Sequence, residues 1–164
     1  MYFLSGKRVA TAQSIAVSAR PSVTVAAVIE RGGRFLLVEE EDAGSIVLNQ
    51  PAGHLELRES LTQGCMREVL EESAWHFRPS ALVGIYRWSK RRSGASYLRF
   101  TFCGELGEHE PGRRLDAGIV RALWLDADEI RASHERHRSP LVLRCVEDYL
   151  AGRRYPLDLL TDYA

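Results

Sequence analysis

Apolar residues in the first third of the chain form short runs rich in β-branched side chains, and this pattern predicts strands. The clearest run is Val23–Ile29, whose composition is typical of a strand. Arg31-Gly32-Gly33 is a turn signal, and the apolar run Phe35–Val38 follows it. The two runs are therefore predicted to form a hairpin. Ile46–Leu48 is predicted to be a further short strand.

The next segment changes from strand to helix periodicity. Gln50–Gly53 is predicted to be a turn or loop, because Pro51 lacks an N–H donor and Gly53 permits unusual backbone angles. Residues Ser60–Ser73 are predicted to form a helix that Ser60 caps. The residues expected to face the core from this helix are Thr62, Cys65, Met66, Val69 and Leu70.

The second half of the chain continues with strands and ends in a helix. The predicted strands are Ala81–Trp88, Tyr97–Leu106 and Ile119–Leu125. The predicted helices are Ala127–Arg131 and a last helix that Ser139-Pro140 opens and that ends near Leu150. Because strands outnumber helices and are mostly consecutive, we expect an α+β fold with helices packed on a mixed β-sheet.

The composition fits a single domain. The chain has 164 residues, of which 45% are apolar, and this is enough for one hydrophobic core. We expect residues 1–20 to be an N-terminal extension and residues 21–164 to be the domain itself. The three cysteines are widely spaced, which fits reduced thiols better than a disulfide framework.

Charge and hydropathy narrow the class of protein. Lys plus Arg and Asp plus Glu each number 22, and this balance argues against a nucleic acid polymer as partner. No apolar run approaches the roughly 18 residues that a membrane span needs, and the N-terminus lacks the residue order of a signal peptide. We therefore expect a cytoplasmic protein, monomer or homodimer, with no membrane partner.

Three carboxylates converge on one side of the predicted helix. Glu68 and Glu72 lie one turn apart on the same face, and Glu71 lies at the edge of that face. Like charges at this spacing destabilise an isolated helix by about 0.2–0.5 kcal/mol per pair. A bound cation removes this repulsion, and the hardness of carboxylate oxygens favours Mg²⁺, with Mn²⁺ as a substitute. The alternative is an acidic helix face that meets only solvent.

A magnesium site of this kind suits phosphate chemistry. Mg²⁺ commonly binds substrate phosphates beside a few carboxylates, neutralises their charge and activates a water. A carboxylate left over is then available as general base on that water. The sequence contains neither a G-x-S-x-G motif nor a P-loop, so hydrolysis by metal-activated water is the simplest mechanism.

The segment around these carboxylates resembles the Nudix box. That pattern is Gly, five residues, Glu, seven residues, Arg-Glu, an aliphatic residue, any residue, Glu-Glu, any residue, Gly and an apolar residue. The positions that match in register are Gly53, Glu59, Arg67, Glu68, Val69, Glu71, Glu72 and Trp75. Ala74 stands where the pattern has its second Gly, a position that serves the helix C-terminus and not the metal.

The resemblance implies a role for the matched residues. The catalytic carboxylates and metal ligands would be Glu68, Glu71 and Glu72, with Glu68 also a candidate for the base. The backbone carbonyl of Ala52 or Gly53 would be a further ligand. Glu59 and Arg67 would form an ion pair that ties the loop to the helix. The family's fold is an α/β/α sandwich around a mixed sheet, which agrees with the order of predicted elements.

Further segments resemble one branch of this family, the NudJ-type phosphatases. They are Thr24–Glu30, Phe35–Glu40, Asn49–Glu56, Glu72–Trp75, Leu98–Phe100, Arg138–Leu141 and Arg154–Leu157. This resemblance implies a phosphatase that releases inorganic phosphate from nucleoside triphosphates, nucleoside diphosphates or the pyrimidine diphosphate precursor of thiamin. Two alternatives stay open. One is a catalytically inactive ligand sensor, and the other is an isoprenoid-diphosphate isomerase, which would need a catalytic cysteine such as Cys65.

Residues outside the box complete the predicted site. Nudix enzymes often take a further acidic ligand from another loop, and the candidate here is Asp116, with Glu105, Glu108 and Glu110 as alternatives. The candidate substrate-binding residues are Asn49, Gln50, Tyr86, Trp88 and Arg99. Amides hydrogen-bond a base, aromatic faces stack on a heterocycle, and arginine binds phosphate through two N–H groups. Turn stabilisation and core packing are the alternative roles for these side chains.

Overall fold

The computed structural model describes residues 20–90 and 94–163, which form two four-stranded sheets and three α-helices. The strands are β1 Ser22–Val28, β2 Glu30–Arg31, β3 Arg34–Asp42, β4 Ser45–Asn49, β5 Ala52–His54, β6 Trp75–Ser89, β7 Ser96–His109 and β8 Ile119–Asp126. The helices are α1 Leu61–Ser73, α2 Ala127–Ala132 and α3 Leu141–Leu150, with 3-10 turns at His134–Arg136 and Leu157–Leu159. The predicted N-terminal extension lies outside the described residues, except for its last residue.

The two sheets differ in the direction of their strands. The first has the order β5-β1-β7-β6 and is mixed, because β1 runs parallel to β7 and antiparallel to β5. The second is antiparallel and is centred on β3, which pairs with β2, β4 and β8. Helix α1 packs on one core and helices α2 and α3 pack on another. This arrangement confirms the predicted α+β sandwich.

The predicted hairpin of Val23–Ile29 with Phe35–Val38 is wrong in extent. Strand β1 pairs with β5 and β7 in the first sheet, whereas β3 belongs to the second sheet. The turn at Gly32-Gly33 exists, but it joins only the two-residue strand β2 to the start of β3. All residues from Val25 to Ile29 are buried, so this strand needs neighbours on both sides, and a single hairpin supplies only one.

Other element boundaries also differ between the prediction and the structure. Gln50–Gly53 was predicted to be irregular, but Ala52 and Gly53 belong to β5 and pair with β1. Strand β6 begins at Trp75 and not at Ala81, and its register shifts between Pro79 and Ala81. The strand lies at the edge of its sheet, where a proline and a bulge are tolerated.

Helix α1 has a well-defined cap at each end. Ser60 Oγ accepts a hydrogen bond from the N–H of Gln63, whose side chain accepts one from the N–H of Ser60, which is a capping box. At the other end Ala74 adopts a left-handed conformation with φ 59° and ψ 18°. Cys65 and Val69 face the core as predicted, but Met66 is 44% exposed, because the buried face turns toward Glu68 and Glu72 instead.

Two apolar cores hold the layers together. Beneath α1, Cys65 and Val69 pack with strand residues that include Val25 and Phe102. Beneath α3, Val142 and Val146 belong to the cluster of Phe35 and Leu37. Full burial of each large apolar side chain contributes about 1.5–3 kcal/mol. None of the described helices has the length and apolar character that crossing a membrane requires.

Candidate active site

The glutamates of α1 lie directly against strand β5. Glu68 and Glu72 are only 8% and 7% exposed, and Glu72 Oε2 accepts a hydrogen bond of 2.8 Å from the N–H of Ala52. A methyl group added to Gly53 would come within 2.1 Å of Glu68 Oε1. Only glycine therefore permits this approach of strand and carboxylate.

Arg67 joins the parts of this site. Its guanidinium binds both carboxylate oxygens of Glu59, at 2.7 and 3.0 Å, in the two-bond geometry that is strongest for this pair. It also donates to Glu68 Oε1 at 2.7 Å, to Glu71 Oε2 at 2.9 Å and to the carbonyl oxygen of His54 at 3.0 Å. The contacts from Arg67 to Glu68 and Glu71 were not anticipated from the sequence.

The carboxylates of the site oppose one another's ionisation. The pKa of Glu72 is raised to about 9, chiefly by burial and also by the nearby carboxylates of Glu68, Glu40 and Asp116, while the N–H of Ala52 opposes the rise. Burial also raises the pKa of Glu68, although Arg67 opposes that rise. Buried carboxylates that oppose one another's ionisation are hard oxygen donors, and they fit a divalent cation such as Mg²⁺ or Mn²⁺.

The donors are not gathered into a closed cluster. Within the part of the chain that the structure describes, no three His, Cys, Asp or Glu side chains are placed as a ready metal-binding group. Glu68 and Glu71 are both directed at Arg67. Because Mg²⁺ keeps several of its waters and needs few protein carboxylates, an open set of donors suits it better than a complete cage.

Asp116 lies beside the helix glutamates. Its N–H donates to the carbonyl oxygen of Glu71 at 3.0 Å, and its charge acts on both Glu68 and Glu72. The alternative candidates for the acidic ligand lie in other surroundings. Glu105 is paired with Arg78, and Glu110 is paired with His76 and Arg113. Glu108 is exposed on β7. Of the four acidic candidates considered outside the box, Asp116 is thus the one that lies beside the helix glutamates.

A cleft opens next to β5 and extends between the two sheets. The residues around it that matter for the chemistry are Thr24, Glu40, Asn49, Gly53, His54, Trp88, Lys90, Tyr97, Arg99 and Arg138. Thr24 pairs with Arg99 across one strand boundary and with His54 across the other, so these three side chains share one row of the first sheet. Trp88 and Tyr97 form the adjacent cross-strand pair on β6 and β7.

Arg99 is a buried cation that has no carboxylate within ion-pair distance among the residues the structure describes, although the charge of Glu40 acts on it. It is 8% exposed, and within the same residues its guanidinium donates to the amide oxygens of Asn49, at 3.4 and 3.5 Å, and of Gln50, at 3.4 Å. Burial lowers the pKa of Arg99, because the charged form loses its water. Weak neutral partners do not offset that loss, so the site is suited to an anion.

An aromatic row forms one wall of the cleft. Trp88 and Tyr97 are stacked, with ring centroids 5.6 Å apart and an angle of 20°, and Tyr97 is 6.4 Å from the His54 ring. Sequence reasoning missed Tyr97. Because it lies two residues before Arg99 on the same strand, the alternation of side chains would have placed both on one face.

Two predicted substrate-binding residues do not line the cleft. The side chain of Gln50 is buried and donates to the carbonyl oxygen of Val142 at 2.7 Å, so it joins Arg99 to the start of α3. The hydroxyl of Tyr86 donates to Asp148 at 3.0 Å beneath the same helix. Both side chains hold α3 in place, a role that differs from the turn stabilisation considered for Gln50.

Cys65 does not fit the role of a catalytic cysteine. It is fully buried in the core under α1, and its thiol points at the carbonyl oxygen of Ala26 at 3.5 Å. Burial raises the pKa of the Cys65 thiol, so the reactive thiolate is disfavoured. Nothing in this environment favours the isomerase alternative.

The fold and the glutamate-bearing helix define a Nudix-type phosphohydrolase. Residues 19–145 match the NUDIX domain, and the chain therefore belongs to the Nudix family. It is similar to Phosphatase NudJ of Escherichia coli K12, with 38% identity over 144 residues that cover 88% of this chain and 93% of the relative.

Solved structures agree with this assignment. A NUDIX hydrolase from Nitrosomonas europaea is 56% identical, with a TM-score of 0.86, and the match covers 88% of this chain and 98% of that chain. MutT NUDIX hydrolase from Burkholderia pseudomallei is 17% identical, with a TM-score of 0.67, and the match covers 79% of this chain and 98% of that chain. At this identity the similarity shows the fold alone. Nudix hydrolases act on small phosphorylated substrates and need a divalent cation.

Proposed function

We propose that this enzyme is a Mg²⁺-dependent phosphatase that releases inorganic phosphate from nucleoside triphosphates, nucleoside diphosphates or thiamin pyrimidine diphosphate. The observation that carries the proposal is the set of groups that the fold brings to one cleft. Gly53, which lies against the buried carboxylate of Glu68, lines the cleft together with the buried cation of Arg99 and the stacked pair of Trp88 and Tyr97. These groups match a cation, a phosphate chain and a heterocycle. The similarity to a protein named Phosphatase NudJ supports the release of phosphate.

The residues that would hold the cation are Glu68, Glu71 and Glu72, the backbone carbonyl of Gly53 and Asp116. Mn²⁺ would fit the same oxygen donors. When bound, the cation neutralises charge on the phosphate oxygens and lowers the pKa of water. Arg67 keeps Glu68 and Glu71 on one side of the helix and links them to the loop through Glu59.

Glu68 is the proposed general base. Arg67 holds its Oε1 atom, which leaves Oε2 to accept a proton from the attacking water. The water oxygen forms a bond to the terminal phosphorus as the phosphoanhydride P–O bond breaks. The leaving group is the substrate shortened by one phosphate, and the other product is inorganic phosphate.

The remaining residues orient the substrate. Arg99 is proposed to bind a phosphate oxygen, which supplies the anionic partner that its amide neighbours do not. Trp88 and Tyr97 are proposed to stack on the heterocycle, an arrangement that contributes about 1–3 kcal/mol for a base on an aromatic side chain. Asn49 stays beside Arg99 and fixes the position of its guanidinium.

A product assay tests this function. Release of phosphate and of pyrophosphate would be measured separately from nucleoside triphosphates, nucleoside diphosphates, thiamin pyrimidine diphosphate and ADP-ribose, with Mg²⁺ and with EDTA. We expect Mg²⁺-dependent phosphate release from the nucleotides or the thiamin pyrimidine. Release of pyrophosphate, or turnover of ADP-ribose alone, would overturn the proposed substrate class. Turnover of none of them would favour a ligand sensor.

A further inference from the structure

Two buried side-chain oxygens in the cleft form no hydrogen bond. Among the residues that the structure describes, the buried side-chain polar atoms without a hydrogen-bond partner are Thr24 Oγ1 and Glu40 Oε1. Thr24 is 6% exposed and the side chain of Glu40 is 13% exposed. Both residues line the same cleft. Because almost all buried polar groups are paired, two orphans in one cleft indicate a place for polar groups of a ligand.

Of these two residues, Glu40 sets the stricter requirement on the chemistry of a ligand. Its Oε1 atom lies 3.3 Å from Arg138 Nε in an ion pair that does not satisfy hydrogen-bond geometry. Burial raises the pKa of Glu40, and Arg138, the amide of Asn49 and Arg99 oppose that rise and favour the carboxylate. A carboxylate only accepts hydrogen bonds, so a substrate group that pairs with it must be a donor. A phosphate group, which is itself an anion, is excluded by repulsion.

The donor belongs on the organic part of the substrate. Glu40 extends from β3 in the second sheet, whereas Trp88 and Tyr97 belong to the first sheet on the other side of the cleft. A heterocycle bound in the cleft therefore lies in the space that Trp88, Tyr97 and Glu40 share. An exocyclic amino group lies in the plane of such a ring and points outward from its edge, as a hydrogen bond to a side wall of the cleft requires.

We propose that Glu40 is a specificity-determining residue that accepts a hydrogen bond from an exocyclic amino group of the substrate's heterocycle. The substrates are then aminated rings such as cytosine, adenine and an aminopyrimidine. This inference rests on the proposed function and identifies the group that the same site recognises. A single hydrogen bond to a charged acceptor changes selectivity by about 10-fold to 100-fold.

Removal of one amino group tests the inference. The kcat/KM for CTP and ATP would be compared with that for analogues that lack only the 4-amino or 6-amino group. We expect the wild-type enzyme to prefer the aminated member of a pair by about 10-fold to 100-fold. Glu40→Met keeps the length of the side chain but has no carboxylate oxygen. In this variant the preference for the aminated member should disappear, while kcat/KM for the analogue without the amino group should change little. Glu40→Gln, which keeps an acceptor and loses the charge, should give an intermediate preference.

The matched control is Glu41→Gln, because Glu41 is the next residue on the same strand and is exposed. It should keep the wild-type preference and activity. Equal wild-type kcat/KM for both members of each pair would overturn the inference and leave the proposed function standing. An equal loss on both members in Glu40→Met and Glu40→Gln would also overturn it, because Glu40 would then act on the phosphate or cation. If the wild-type enzyme turns over neither nucleotides nor thiamin pyrimidine diphosphate, the proposed function fails, and the inference fails with it.

Discussion

Gly53 and Glu68 are in such close contact that a methyl group at position 53 would come within 2.1 to 2.3 Å of the Glu68 carboxylate atoms. The contact explains why the first residue of the box is a glycine although its backbone lies in a strand with no positive φ. The missing Cβ makes room for a buried carboxylate. The position of Glu68 is therefore coupled to the identity of residue 53.

Gly53→Ala should separate β5 from the carboxylate of Glu68. The methyl group and the carboxylate cannot share this space, so Glu68 or the strand must move by more than 1 Å. We expect a decrease in kcat/KM of at least about 100-fold and a Mn²⁺ affinity at least about tenfold weaker. Isothermal titration with Mn²⁺ measures the second effect. A folded Gly53→Ala protein with wild-type affinity and turnover would contradict this description.

Arg99→Met should reduce activity without reducing stability. Because Arg99 is a buried charge whose hydrogen bonds to amides are long, and because Glu40 keeps its ion pair with Arg138, removal of Arg99 costs the free protein little and removes a desolvation penalty. We expect kcat/KM to fall by about 10-fold to 1,000-fold while Tm stays the same or rises. Arg87→Met is the control, because Arg87 is exposed on the neighbouring strand and should leave activity unchanged. A lowered Tm with normal turnover would make Arg99 a structural residue.

Ala74→Gly should stabilise the protein. Ala74 caps α1 at φ 59°, a conformation that costs an L-residue roughly 1 kcal/mol and that glycine adopts freely. We expect the free energy of unfolding to rise by about 0.5–1 kcal/mol, measured by urea denaturation, with unchanged turnover. Ala151 caps α3 at φ −71°, so Ala151→Gly is the matched control and should not stabilise. Equal effects of the two substitutions would rule out relief of backbone strain.

Glu39→Gln should weaken the dependence of the free energy of unfolding on pH below about pH 5. Hydrogen bonds from Arg121 at 2.6 Å and Arg136 at 2.5 Å lower the pKa of Glu39 from 4.5 to about 2. Because the folded pKa lies below the unfolded one, this carboxylate stabilises the protein above about pH 5, and the contribution disappears as the pH falls toward 2.

Both arginines are about half exposed or more, so we expect this contribution to be about 1–2 kcal/mol. Urea denaturation at pH values from 3 to 7 measures it. Glu41→Gln, at an exposed site, should keep the wild-type profile. If Glu39→Gln has the same pH dependence as the wild type, the Glu39 ion pairs do not stabilise the fold.

Local patterns were sufficient to predict much of the helix side of the site. The period of an α-helix places Glu68 and Glu72 on one face whatever the tertiary structure is, and the structure shows both carboxylates at β5. The role of position 74 as a helix cap could also be predicted from the sequence, because a left-handed cap is a local property. The pairing of distant strands could not be predicted in this way. Strand β1 pairs with β7, more than 70 residues away, and no local signal specifies that partner.

The substrate side of the site depended on tertiary contacts that periodicity does not reveal. Tyr86 and Gln50 have the chemistry of ligand-binding residues, but Asp148 and the Val142 carbonyl occupy their polar atoms. Conversely, Glu40 belongs to an acidic run that resembles a solvated loop, yet its carboxylate is mostly buried in the cleft. Burial and the identity of the hydrogen-bond partner decided these roles, and both follow from the packing of distant elements.

The most direct test of the proposed mechanism is the turnover of Glu72→Gln. The substitution keeps an oxygen to accept the hydrogen bond from Ala52 and removes one negative charge from the proposed cation site. With saturating Mg²⁺ and the best substrate of the panel, we predict phosphate release at least about 100-fold slower than for the wild type, while circular dichroism and Tm show a folded protein. Phosphate release by a folded Glu72→Gln within about threefold of wild type would contradict the assignment of this carboxylate to the cation, and with it the central claim.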